Sequence, residues 1–319
     1  MKRERKSGHI EPGSQGKGKR RSNEREKRTR KIQTVQKEIS LKSKLIWIII
    51  ISAITLIAYY PGFNNEITSW DDEFYINDNP YLALSKENTK ELFKFDTYYM
   101  GNYHPLAMTS LSIDYAIGGT DEEGNINPFM FHFTNILLHI LVSLFVFWFI
   151  YALLKNFKIA VIGGLIFAVH TLHVESVAWI SERKDVLYAF FFVASLITYV
   201  KYVDTKKIYL FIFSLFLFLL SLFSKGQAVS LAITILLIDL LRRRKLFDIK
   251  VIAEKIPFLA LAIFFGLIAI GAQTESEALV DEQAYSSLQR IGIAAYAFIQ
   301  YIIKLILPVK LSAIYPYPD

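Results

Sequence analysis

The chain has 319 residues, of which 53% are hydrophobic and 15% aromatic, with 25 Phe and 18 Tyr. It holds no cysteine, which excludes disulfide frameworks, thiolate metal sites and cysteine nucleophiles. The net charge of +7 is carried by one end: residues 1–44 hold 16 Lys/Arg against 5 Asp/Glu, and the remainder is net acidic.

In 1–44, basic runs such as Lys17 to Arg21 and Arg25 to Lys31 are interspersed with Gly and Ser, so this stretch reads as a disordered cytoplasmic tail. Its expected roles are setting topology and meeting anionic lipid head groups, with no nucleic-acid partner. Eight apolar segments follow: 45–61, 132–154, 159–174, 186–203, 208–223, 226–241, 256–272 and 291–309. Such runs mark lipid as the solvent, because about 20 apolar residues cross a bilayer core of about 30 Å. The expected fold over 45–319 is therefore all-α, a polytopic transmembrane helix bundle of about 7–8 spans. Gln300 and Lys304 interrupt the last segment and Pro308 ends it, so it either spans or lies along the interface.

With the tail inside, the short inner connections carry 11 basic residues and the outer ones 7, as the positive-inside rule requires. The loop 62–128 holds 3 Lys/Arg against 12 Asp/Glu and falls outside. It opens on Trp70, Asp71, Asp72 and Glu73. Three adjacent carboxylates repel one another and attract a cation or a proton donor. One of them suits a general base toward an acceptor hydroxyl, and the alternative is a solvated topology signal.

Further along, His104 precedes Pro105, and His132, Asn135 and His139 share one helix face at i, i+3 and i+7. Polar groups at membrane depth face the bundle or a wet cavity, and interhelical hydrogen bonding accounts for this trio. His170, His173 and Glu175 are residue types that can bind a metal, but their spacing is not a standard ligand set and the HExxH pattern is absent. Arg183 and Lys184, flanked by Glu182 and Asp185, suit a lipid phosphate, or else form a network that closes a loop. Lys225, in the short turn after Ser224, offers a second phosphate contact, while Asp239 is expected to pair with Arg242 or Arg243 one turn on.

Four stretches resemble a known family. They are Trp70-Asp71-Asp72 with Asn79-Pro80; Phe131-His132 through Asn135 to His139; His170 through His173, Glu175, Trp179, Arg183, Lys184 and Asp185 to Leu187; and Ser224-Lys225 with Ala228-Val229. Covering about 59–245, they resemble the transmembrane and tetratricopeptide-repeat glycosyltransferases, polytopic O-mannosyltransferases with bacterial relatives. The resemblance implies a membrane glycosyltransferase of the GT-C type. Its donor would be a sugar on a polyprenyl phosphate, and its acceptor a protein Ser/Thr or a glycan. Its location would be a bacterial inner membrane, with the active site facing outward.

It further implies that Asp71 or Asp72, with Asp72 preferred, is the general base. Arg183, Lys184 and Lys225 would hold the donor phosphate. Glu73, His104, His132, Asn135, His139, His170, His173, Glu175 and Asp185 would shape the donor and acceptor site. No cofactor is fixed by the resemblance, and a divalent cation is left open. Two departures stand out: His104 replaces an Arg frequent before Pro-Leu, and the chain reaches Asp319 without repeats. The alternatives to a transferase are a transporter or flippase, for which Gly163-Gly164 and Gly226 are the candidate helix breaks, and an inactive membrane scaffold.

Overall fold

The computed structural model describes residues 40–121, 123–276, 286–312 and 315. The chain divides into two units, Met1–Ile46 and Trp47–Asp319. Of the first only 40–46 are described, so the expected disordered tail lies almost wholly outside the described residues.

The described residues form helices: α1 Leu41–Tyr59, α2 Lys86–Leu92, α3 Pro105–Gly118, α4 Phe129–Leu154, α5 Phe157–Val169 and α6 Val174–Ala178. There follow α7 Arg183–Thr205, α8 Ile208–Ser224, α9 Leu231–Leu241, α10 Ile249–Glu275 and α11 Ser287–Ile306. Short 3-10 turns and one π turn, Glu73–Asn77, link them. No strand occurs among the described residues beyond two isolated bridges.

Each of the eight apolar segments falls on a helix. Four helical stretches are long and apolar enough to cross a membrane: Leu41–Asn64, Phe129–Leu154, Ile180–Thr205 and Ile249–Glu275. A fifth is α5 with the Thr171–Ala178 stretch, bent by 49°. The protein is thus a multi-pass membrane protein. Helices α8 and α9 are shorter, at 17 and 11 residues. At 1.5 Å per residue they reach roughly 25 and 16 Å, less than a straight crossing requires.

Tight turns hold neighbouring helices antiparallel. Lys155 and Lys206 close α4 and α7 in the left-handed conformation, at φ 54° and 59°. Asn156 then caps α5, its side chain accepting from the Ile159 amide at 3.2 Å. Gly163-Gly164 does not break α5. A Cβ on Gly164 would lie 2.9 Å from the Phe147 Cβ, so the glycine lets α4 and α5 approach closely. The bend comes after it, at His170, whose backbone is extended.

The main core lies among α7, α8, α9 and α10, around Tyr199, Phe218, Ile235 and Phe258. The acidic loop is itself folded. Tyr75, Ile76, Leu82, Leu92, Met108 and Leu111 pack with Phe131 of α4 and Ile180 into a second core. This packed layer fixes the residues over the N-terminal end of α7.

Candidate functional site

The acidic run divides by environment. Asp72 is buried, and both its oxygens are occupied: Oδ1 accepts from the Ser181 amide at 2.8 Å, and Oδ2 from the Thr68 hydroxyl at 3.0 Å and amide at 3.3 Å. It therefore pins the loop to the turn before α7. Asp71 is half-buried, and among the described residues its carboxylate makes no hydrogen bond or ion pair. Glu73 is spent locally, accepting from Asn77 at 2.9 Å. Trp70 lies edge-on to Trp179, ring centroids 6.2 Å apart.

Arg183, expected at a phosphate, is completely buried. Its Nε donates to Asn135, its Nη1 to Ser110 at 3.2 Å, and its Nη2 to the Phe131 carbonyl at 2.8 Å and to Asp114. Asp114 also accepts from Thr134 at 2.7 Å. A guanidinium whose three nitrogens all meet protein acceptors ties α3, α4 and α7 together. Asn135 completes the junction by donating to the Trp179 carbonyl at 3.0 Å.

One residue on, Lys184 begins a compact charge network. Its ammonium donates to the Ser181 carbonyl at 3.1 Å, pairs with Glu182 at 3.0 Å and lies 5.0 Å over the Tyr75 ring. Lys225 pairs with Asp185 and, at 3.4 Å, with Glu182, while Ser176 donates to Asp185 at 2.9 Å. Burial draws the Lys225 pKa down, but the Asp185 and Glu182 carboxylates outweigh it and hold the ammonium above its ordinary value. Tyr75 is pushed up by burial, then by Asp71 and Glu182. His104 lies beside Tyr75, at 5.6 Å between ring centroids, and neither of its ring nitrogens makes a hydrogen bond of good geometry. Burial, followed by Lys184, lowers its pKa to about 3, so the ring is neutral.

Two clefts flank the Lys225–Asp185 pair. One, about 190 Å³, opens on the Lys225 side between the 101–103 loop, the 225–227 turn and α10. The other, about 140 Å³, opens on the Asp185 side and is lined by His139, His173, Ser176 and apolar side chains of α4, α5 and α7. There His139 is held by the Ala168 carbonyl at 3.1 Å, and His173 stacks near Phe167, ring centroids 4.3 Å apart.

The remaining expected residues scatter. His132 is buried on α4, with neither ring nitrogen in a hydrogen bond of good geometry. His170 is spent on the backbone, facing the Leu305 carbonyl at 2.9 Å and the Leu172 amide at 3.3 Å. Glu175 is exposed. Among the described residues no group of three or more His, Asp or Glu is arranged to hold a metal ion.

The structure brings in Asp114, Ser110, Tyr75 and Glu182 as partners of the expected residues. Glu182 was expected as a flanking charge of Arg183 and Lys184, and Asp114 carried a signal as the one acid in the apolar stretch 105–118, whereas Ser110 and Tyr75 carried none. Asp239 departs from expectation too. It pairs with Arg244 at 3.1 Å and with Lys255, while Arg242 reaches Asp204 at 3.1 Å. The helix ends at Leu241, so the one-turn spacing assumed for Arg242 no longer sets the pairing.

Fold and site together define a multi-pass membrane protein with a buried charge network between two clefts, at the end of the bundle covered by the acidic loop. No protein-family profile matches the chain. It is similar to protein O-mannosyl-transferase TMTC2 of Mus musculus, 38% identical over 105 residues, which is 33% of this chain and 12% of that protein. It is also similar to protein O-mannosyl-transferase TMTC1 of Mus musculus, 31% identical over 143 residues, 42% of this chain and 14% of that protein. Human TMTC3, a protein O-mannosyl-transferase as well, is 29% identical over 100 residues, 31% of this chain and 10% of that protein. The matched stretches thus span less than a sixth of each relative's length.

Proposed function

We propose that this chain is the membrane part of a GT-C-type glycosyltransferase. It moves a sugar from a polyprenyl-phosphate donor to a hydroxyl of a protein or glycan, on the non-cytoplasmic face of a bacterial inner membrane. In this reading α8 and α9 also cross, tilted or with the bilayer thinned around them, bringing the count to seven or eight spans. The basic tail stays in the cytoplasm.

The observation that carries the reading is Asp71, a half-buried carboxylate with no partner among the described residues, near a buried network containing two ammonium groups. The similarity to protein O-mannosyl-transferases supports the reaction class. Asp71 takes the proton of the acceptor hydroxyl, whose oxygen attacks the anomeric carbon. The bond from that carbon to the phosphate oxygen breaks, and the electron pair leaves with the phosphate. Lys184 and Lys225 stabilise the charge that develops there, exchanging part of their contact with Glu182 and Asp185 for the phosphate. Asp72 holds the loop so that Asp71 stays in reach, and Arg183 anchors α7 beneath the lysines. This reverses the order expected for the two aspartates and takes Arg183 out of the phosphate set.

The test is transfer from a labelled polyprenyl-phosphate mannose by purified wild type, Asp71→Asn and Asp72→Asn. Asp71→Asn is expected to lose turnover at an unchanged melting temperature, whereas Asp72→Asn melts earlier. Full turnover by Asp71→Asn would remove the base from the mechanism. Movement of an intact lipid-linked sugar by wild type and Asp71→Asn alike would favour a transporter.

A further inference from the structure

The cleft on the Lys225 side has a composition that the phosphate chemistry does not use. Among the described residues on its walls, Lys225 is the one ionisable side chain with a charge at neutral pH. The polar groups around it are carboxamides, those of Asn102, Gln227 and Gln273, while the rings of Tyr103 and Phe265 form an apolar floor.

The amides are oriented by the backbone. Asn102 Nδ2 donates to the Met100 carbonyl at 2.7 Å, and Gln273 Nε2 to the Gly101 carbonyl at 2.6 Å. Their carbonyl oxygens make no hydrogen bond among the described residues, and neither does the exposed Gln227 carboxamide. Close approach is built in by two glycines. Gly101 has φ +67° and a Cβ there would lie 2.7 Å from the Ser276 hydroxyl oxygen, while one on Gly226 would lie 3.2 Å from the Ala269 Cβ.

We propose that this cleft is the subsite for the donor's sugar ring, with Asn102, Gln227 and Gln273 determining which sugar is accepted; the proposal rests on the glycosyltransferase reading. Free amide oxygens accept hydrogen bonds from ring hydroxyls, free amide hydrogens donate to them, and an aromatic floor meets the C–H face of the ring. The volume, about 190 Å³, lies below the roughly 300–1,000 Å³ of pockets for drug-sized ligands and suits a single ring. The cation also fits this placement. A donor sugar is bonded directly to its phosphate, so a lysine that holds the phosphate brings the ring to its own cleft. Neighbouring amides then read hydroxyl positions, because a polar group left unpaired on either side costs about tenfold in affinity.

The test measures binding, not turnover. Wild type, Gln227→Ala and Gln273→Leu are titrated in detergent with polyprenyl phosphate, polyprenyl-phosphate mannose and polyprenyl-phosphate glucose. Wild type is expected to bind one sugar-bearing lipid at least about tenfold tighter than the plain lipid phosphate. Each amide variant narrows that ratio about tenfold at an unchanged affinity for the plain lipid, and Lys225→Ala weakens all three alike. Gln227 has no side-chain partner among the described residues, so its truncation reports on the ligand even if Gln273→Leu disturbs the 101–103 loop.

A wild type that binds all three lipids equally overturns the proposal, as does an unchanged ratio in Gln227→Ala. Binding of methyl mannoside alongside saturating sugar-bearing lipid would place an acceptor sugar in the cleft and overturn the donor assignment. A preserved ratio without any transfer would leave the subsite standing and count against the transferase alone.

Discussion

The two ends of α7 carry networks of nearly the same composition with different surroundings. At its N-terminal end Glu182, Lys184, Asp185 and Lys225 meet beside two clefts, with the neutral His104 close by. At its C-terminal end Asp239, Arg244, Glu254 and Lys255 meet around two tyrosines. Tyr199 donates to Asp239 at 3.0 Å, and Tyr202 to Glu254 at 2.7 Å. Each set holds two acids and two bases. The second is sealed: Asp239 is fully buried, and Lys255 and Tyr199 close over it. The first adjoins the two clefts. Charge count alone therefore does not distinguish the two networks, whereas their surroundings do.

The sharpest way to break this comparison is the carboxylate without a partner. Asp71→Asn should lower transfer by about 10²–10⁴-fold, the usual weight of a positioned general base, with the thermal melt unchanged. Next come the buried junctions. Asp114→Ala leaves the Arg183 guanidinium charged in the interior and should cost about 3–5 kcal/mol of stability, read as an earlier melt in detergent. Asp239→Ala should behave in the same way at the other end and leave the donor KM of the remaining folded protein untouched.

Lys225→Ala is expected to raise the donor KM about tenfold or more through loss of a charge-assisted contact, on top of the stability lost by leaving Asp185 and Glu182 without their ammonium. If Asp239→Ala raised the donor KM as Lys225→Ala does, the division between the two ends would fail.

The smallest effect is a pH slope. The folded-state pKa of His104 is lowered to about 3 by burial and then by Lys184, below an ordinary value near 6.5. The unfolded chain binds the proton first as pH falls. Stability is therefore fully present above about 6.5 and drains away as pH drops toward about 3, by at most about 1.4 kcal/mol per pH unit. His104→Gln should flatten that slope in melts recorded between pH 7 and 4.5.

Much of the architecture followed from the amino-acid order alone. All eight apolar segments became helices, because a chain in lipid must satisfy its backbone within the segment and has few other options. The acidic character of 62–128 was equally plain. Helix lengths were less secure. Segment 159–174 stops at His170, and only four helices are long and apolar enough for a straight crossing, five with the bent pair.

Only the tertiary structure decided the roles of neighbours. Asp71 and Asp72 are adjacent carboxylates, of which the fold seals Asp72 with partners. Arg183 and Lys184 are adjacent cations that are both buried, Arg183 among groups of α3 and α4 and Lys184 against Glu182, the Ser181 carbonyl and the Tyr75 ring. Several partners come from distant segments: Ser181 for Asp72, Asp114 and Asn135 for Arg183, Asp185 for Lys225. Burial and hydrogen-bond saturation are properties of packing between helices, and a linear sequence specifies the groups without stating which of them meet. The order of residues thus determined a membrane helix bundle and a set of polar residues suited to chemistry. The packing decided which of them meet partners across helices and which do not.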